Sequence, residues 1–171
     1  MVYFLLQEVH GHNTHFCGLI DNFENRDKIS IGKNYFELES RSNIENIELF
    51  LGIESPIVIQ RITTKFCGFS FPNLIHQSFI GFENSIKMGF GNIITPSCIF
   101  TVDVAIGSFN VFNTSICIGH DSVIGSYDVF LPRTQISGNV KIGNSNIFGM
   151  TSGVFQGEKI GDNNYLEHIL L

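Results

Sequence analysis

Ile106-Gly107, Ile124-Gly125, Ile142-Gly143 and Ile160-Gly161 follow one another every 18 residues, and Met88-Gly89 opens the column one period earlier. The period divides by three. An apolar residue recurs at every sixth position: Met88, Ile94, Phe100, Ile106, Phe112, Ile118, Ile124, Phe130, Ile136, Ile142, Phe148, Val154, Ile160. A helix gives a period of 3.6 and an isolated strand a period of two. A period of six needs a coil of three short strands per turn, each sending one side chain inward. The spacing therefore predicts a three-sided parallel β-helix from about 74 to 163.

Positions one coil apart stack at about the strand spacing, roughly 4.8 Å. One face is predicted to carry Ile94, Phe112, Phe130 and Phe148 as an internal ladder, a second Phe100, Ile118, Ile136 and Val154, and the third the Ile-Gly column. Asn92, Asn110, Asp128 and Asn146 stand two residues before inward positions. Asn and Asp tolerate left-handed backbone and bond to nearby main chain, which predicts that this column makes tight corners. Phe79 to Met88 breaks the phase, so the first coil is expected to be irregular, and Tyr165 to Leu171 reads as a non-repeating end.

Residues before about 75 follow another pattern. Val2 to Val9 fits the end of an amphipathic helix, Phe16 to Asp21 a buried strand ending in a carboxylate, and Ile47 to Ile53 a further strand. Pro56 is placed to open a helix over 57–65, since a first turn tolerates proline. Strand, loop, strand and helix in this order predict a small α/β unit with a parallel sheet.

Composition narrows the function classes. The hydrophobic fraction is 43%, yet no apolar run approaches the ~18 residues of a membrane helix. The formal net charge of −6, with no basic cluster, argues against nucleic-acid binding through phosphate neutralisation. Cys17, Cys67, Cys98 and Cys117 form no C-x-x-C, and residues 1–6 are too short for a signal h-region. These features predict free thiols in a cytoplasmic protein. His10, His12 and His15 lie close together but have no other ligand type beside them, so a solvated loop is expected and no metal site.

The chain resembles the left-handed β-helix sugar O- and N-acyltransferases related to sialic-acid O-acetyltransferases and bacillosamine-pathway acetyltransferases. The resemblance rests on Gly18-Leu19-Ile20-Asp21-Asn22, Gly52-Ile53-Glu54-Ser55-Pro56, Phe71-Pro72-Asn73-Leu74-Ile75-His76, Ile118-Gly119-His120-Asp121 and the segment from Ile136 to Gly143. It implies an incomplete Rossmann-like, nucleotide-sugar-binding-like α/β unit over 1–73 and a hexapeptide-repeat β-helix over 74–171. The left-handedness comes from the resemblance alone, since ordinary crossovers are right-handed. The resemblance also implies acetyl-CoA as co-substrate, a sugar or nucleotide-amino-sugar acceptor, and a homotrimer with sites between neighbouring prisms. Its members begin with a strand and a glycine-rich turn that this sequence lacks, and they continue for further coils. That comparison implies a chain shortened at both ends, with weak substrate binding and slow turnover.

His120 is the residue to weigh: spacing alone favours an exposed corner histidine with no role, and the resemblance implies a catalytic one. It lies two positions after inward Ile118, so its side chain is expected to point outward. A sugar hydroxyl or ammonium must lose a proton to attack a thioester, and imidazole titrates near neutral pH. The resemblance makes His120 the general base and Asp121 the group that orients its ring. Gly138, one coil on from His120, is expected to leave its backbone N–H open beside it, a position suited to stabilising a developing oxyanion. Cofactor contacts implied for Asp128 and Arg133, and substrate contacts implied for Asp21 and Asn22, compete with simpler roles: a turn, a solvated corner arginine and a helix N-cap. Since no cysteine stands in the His120 column, direct transfer is expected. The alternative is a non-catalytic or degenerate β-helix scaffold. A β-helix hydratase with a three-histidine metal site is disfavoured, because only His120 lies in the regular coils.

Overall fold

The computed structural model describes residues 2–10, 19–21, 32–34 and 47–167. Helix α1 (Val2–His10) is followed by strands β1 (Leu19–Asp21) and β2 (Gly32–Asn34), which pair in parallel. Helix α2 spans Pro56–Lys65 with Pro56 in its first turn, where its missing N–H costs nothing. From Leu74 onward the chain is a left-handed parallel β-helix of short strands, β3 (Leu74–Ile75) to β17 (Tyr165–Leu166). Three sheets of six, five and four strands form the sides of a prism, and each strand pairs with the one a full coil away.

The six-residue register is realised in the core. Phe112, Phe130 and Phe148 stack on the six-stranded side, with ring centroids 4.9 and 4.7 Å apart and interplanar angles of 6° and 5°. Ile118, Ile136 and Val154 fill the second side, and Ile106, Ile124 and Ile142 the third, all buried. The corners repeat with the same period. Ser97, Asp103, Phe109, Ser115, Asp121, Tyr127, Arg133, Asn139, Ser145, Thr151, Gly157 and Asn163 all have left-handed φ between 55° and 83°. Such backbone costs a non-glycine residue on the order of 1–3 kcal/mol and persists only where its surroundings fix it. Stacked corners do this, because each turn's N–H bonds to the coil before it, as Asp121 N–H does to the Val102 carbonyl at 3.1 Å.

The asparagine column differs from its prediction. Its members do not take left-handed backbone; the residue before each one does. Asn92, Asn110, Asp128 and Asn146 are wholly buried and form an internal ladder. Each side-chain oxygen accepts the backbone N–H of the next rung: Asn92 from Asn110 at 2.9 Å, Asn110 from Asp128 at 2.7 Å, and Asp128 from Asn146 at 2.8 Å. The side chains turn inward because they supply hydrogen bonds that the corner backbone would otherwise lack.

The C-terminal end of the repeat also differs from its prediction, whereas the first coil is irregular as expected. Tyr165–Leu166 is not a non-repeating end: it pairs with Ile147–Phe148 as a further rung, and Leu166 packs against the core. In the first coil, Gly81 would place a Cβ 2.6 Å from the Phe79 ring and 2.5 Å from Ile86 Cδ1, so these two side chains occupy the space around it. The 3₁₀ turn Glu83–Ser85 then takes up the phase break before Ile86–Met88.

Ile47 to Ile53 is not a strand. Glu48 makes one bridge, to Ser70, and the segment lies on the prism. Ile47, Leu49, Leu51 and Ile53 pack with Ile59 and Phe66 against Val111, Val129 and Ile147, the outward residues of the six-stranded side. Their alternating apolar pattern is satisfied by burial against this face instead of by strand pairing. Leu5 of α1 covers Leu74 and Ile93 further along the same side. One side of the prism is thus clothed by the chain that precedes it.

Candidate active site

The corner joining β9 (Cys117–Ile118) to β10 (Val123–Ile124) lies between the four- and five-stranded sides and carries His120 and Asp121. It is therefore the prism edge opposite the clothed side. Both side chains reach solvent, with 52% and 60% exposure, and His120 Nδ1 lies 2.8 Å from Asp121 Oδ2. Asp121 is the left-handed residue of this corner, with φ 57°, a conformation that Asp tolerates better than most residues. An ionised carboxylate only accepts hydrogen bonds, so it favours the proton on Nδ1 and leaves the Nε2 lone pair free in the neutral ring. Nε2 makes no hydrogen bond among the described residues.

Gly138 stands one coil beyond. A Cβ there would lie 2.5 Å from His120 Nε2, so only glycine leaves room for the imidazole. Gly138 is consequently buried beneath the ring, not open as the sequence suggested. Its N–H has no partner among the described residues. Gly119 makes the stacking close as well, since a Cβ on it would lie 2.5 Å from Gly138 N. The corner thus brings together an imidazole nitrogen, a carboxylate that orients the ring, and, beneath it, a backbone donor with no partner among the described residues.

The other predicted site residues are not gathered here. Asp128 is fully buried in the internal ladder, its Oδ1 accepting from Asn146 N and Nδ2 at 2.8 and 2.9 Å, so it has no surface to offer a cofactor. Desolvation raises its pKa to about 7. Arg133 is an exposed left-handed corner residue between β11 (Val129–Phe130) and β12 (Gln135–Ile136), a different edge from that of His120, and it forms no ion pair among the described residues. Asp21 ends β1, and Asn22, His12 and His15 lie outside the described residues. No group of three potential metal ligands occurs among the described residues. Cys117, whose thiol pKa is raised by burial, and Cys98, raised to about 11 for the same reason, make poor nucleophiles.

Two features escaped the sequence reading. Lys141 and Lys159 follow Val123 along the outward face of the five-stranded side, bordering the His120 corner on its Gly138 side. Ser122, wholly buried, sits directly under the corner. The coils on either side place Val104 and Val140 in its column, so a hydroxyl between two apolar residues was the available signal.

No protein-family model matches the sequence, and no curated protein matches it. Solved structures do. The acetyltransferase domain of PglB from Neisseria gonorrhoeae superposes with a TM-score of 0.77 at 19% identity, over 93% of this chain and 76% of that one. The fold is theirs in common. WeeI from Acinetobacter baumannii gives a TM-score of 0.80 at 17% identity, covering 99% of this chain and 86% of its own. A mutant of perosamine N-acetyltransferase from Caulobacter crescentus, in complex with CoA and GDP-perosamine, gives 0.57 at 21% identity, over 69% and 64% of the two chains. At these identities the likeness establishes the left-handed β-helix fold alone, and the site's chemistry rests on its own residues.

Proposed function

We propose that this chain is an acetyl-CoA-dependent acyltransferase that acts on a sugar or nucleotide-amino-sugar by direct transfer. The observation that carries the reading is the His120 corner, where Asp121 holds Nδ1 at 2.8 Å and Nε2 faces Gly138. His120 Nε2 takes the proton from the acceptor hydroxyl or amine as that atom bonds to the acetyl carbon. Asp121 keeps the ring in the right tautomer and stabilises the imidazolium that forms. The Gly138 N–H, next to the base and unspent, stabilises negative charge developing on the acetyl oxygen. The carbon–sulfur bond then breaks, and the imidazolium returns its proton to the leaving thiolate. The His120 column, Val102, Gly138 and Gln156, holds no cysteine, which supports direct transfer over a covalent acyl-enzyme. Structural likeness to an acetyltransferase domain and to a protein bound to CoA and GDP-perosamine supports the same choice of substrates.

Lys141 and Lys159 are the groups we assign to the phosphates of the coenzyme, which this acidic chain must otherwise repel. We further assign the chain to a cyclic homotrimer. Among the described residues the four- and five-stranded sides lack the cover that α1 and α2 give the third; they expose Ile99 and Val123 at 40% and 45%, and the corner between them exposes Val102 at 43%. Such apolar exposure on a regular sheet surface suits self-association. No described helix is long and apolar enough to cross a membrane. Isothermal titration with acetyl-CoA, combined with light scattering, tests the reading. Saturable binding by a species of three times the chain mass is expected; a monomer that takes up no acetyl-CoA would overturn it.

A further inference from the structure

The hydroxyl under the active corner has a specific partner. Ser122 Oγ lies 3.1 Å from the Ser137 carbonyl and 3.4 Å from the His120 carbonyl, and it accepts the Val140 N–H at 3.2 Å. With one proton to give, it donates to the nearer oxygen, that of Ser137. That carbonyl and the Gly138 N–H belong to one peptide plane, and a planar peptide turns as a unit. Whatever fixes the oxygen of Ser137 therefore fixes the direction of the Gly138 donor. The His120 carbonyl is held from the same side, by the Asn139 N–H at 2.6 Å.

We propose that Ser122 is a positioning residue: its buried hydroxyl orients the 137–138 peptide so that the Gly138 N–H points at the acyl oxygen beside His120. The inference rests on the acyl-transfer reading above. Neighbouring coils place Val104 and Val140 in the same column, both buried, so a β-branched side chain fits this slot. Threonine then keeps shape and hydroxyl together, whereas valine keeps the shape alone.

The test compares Ser122→Val, Ser122→Thr and His120→Ala in the full chain, with acetyl-CoA and a nucleotide-amino-sugar. Ser122→Val should lower kcat by about 10- to 100-fold, the scale of losing or misplacing an oxyanion donor, while KM for acetyl-CoA stays within about twofold. Ser122→Thr should restore kcat. The Gly138 amide resonance should move in Ser122→Val and stay in place in Ser122→Thr, a readout that holds whatever the turnover. Wild-type kcat in Ser122→Val, equal losses in the Val and Thr variants, or an unmoved Gly138 amide would each overturn the proposal. Failure of the underlying reading is distinct: His120→Ala would then transfer acetyl at the wild-type rate.

Discussion

Replacing Asp128 by Asn should stabilise this protein, and more so as the pH rises. In the ladder, Asn110 Nδ2 donates to Asn92 Oδ1 and to the Gly125 carbonyl, both at 3.0 Å. Asp128 puts an oxygen where the amide nitrogen would stand. That atom, Oδ2, is buried without a partner among the described residues. The equivalent acceptors are Asn110 Oδ1 and the Gly143 carbonyl, so an ionised carboxylate meets two further oxygens there, and only a proton turns the contact favourable. Burial lifts the pKa from an ordinary 3.8 to about 7, and the negative charge of Asp162 adds to the effect. The corners stacked next to it bring Tyr127 and Asp162 as titratable groups, and no cation pairs with Asp128 among the described residues.

The sign follows from proton binding. Between the unfolded and folded pKa values the native state holds a proton that the unfolded state has released, so stability falls as pH rises through this window. The contribution is fully present below about 3.8 and lost by about 7. At about 1.4 kcal/mol per pH unit the full loss is on the order of 4 kcal/mol. Asparagine restores the donor without a charge, so the variant should gain up to that amount, several degrees or more in Tm for a chain of this size. Thermal melts of both proteins from pH 4.5 to 8.5 give the difference curve, expected to climb to about neutral and then level off. A flat difference, or an Asn variant less stable at pH 8, would refute the argument.

Phe130→Ala, which removes the middle ring of the stack, should cost on the order of 3–5 kcal/mol in denaturant unfolding. A cost below about 1 kcal/mol would mean the ladder closes over the gap. Changing Lys141 and Lys159 together to Glu should raise KM for acetyl-CoA with little change in kcat, and the difference should shrink at high salt. A salt-independent KM would remove these lysines from the phosphate contact.

How far the fold was legible depended on periodicity. The six-residue series located one inward side chain per strand of the regular coils because each such position meets the same demand, an apolar residue stacked on its counterpart a coil away; Cys98, Val104, Ile116 and Val140, buried in the same core, lie outside that series. Leu166 was missed although it stands 18 residues after Phe148, because the polar run Gly161-Asp162-Asn163-Asn164 interrupts the pattern before it. The asparagine column was placed at a corner correctly, but the left-handed backbone expected of it belongs to the preceding residue, and its inward side chains were not foreseen. Residue type suggests a turn; only the coil-to-coil hydrogen bonds show that these amides serve the interior. Ile47 to Ile53 failed for a related reason, since an alternating apolar pattern reports one buried side and not whether the backbone finds a strand partner. At the site, spacing placed His120 and Gly138 on one corner, the resemblance singled out His120 and Asp121, and the structure puts the three side by side. Ser122 was not, because its role lies in which carbonyl it meets a coil away.

The most direct test of the account is a single-turnover experiment with acetyl-labelled acetyl-CoA and a panel of sugars and nucleotide-amino-sugars, wild type against His120→Ala. The account predicts label transferred to at least one acceptor, free thiol released in step with it, and a loss of about 10²-fold or more in the variant, the scale of removing a general base. The variant's thermal stability should be nearly unchanged, because His120 is a half-exposed corner residue. Transfer by His120→Ala at the wild-type rate, or no acceptor-dependent thiol release from the wild type, would contradict it.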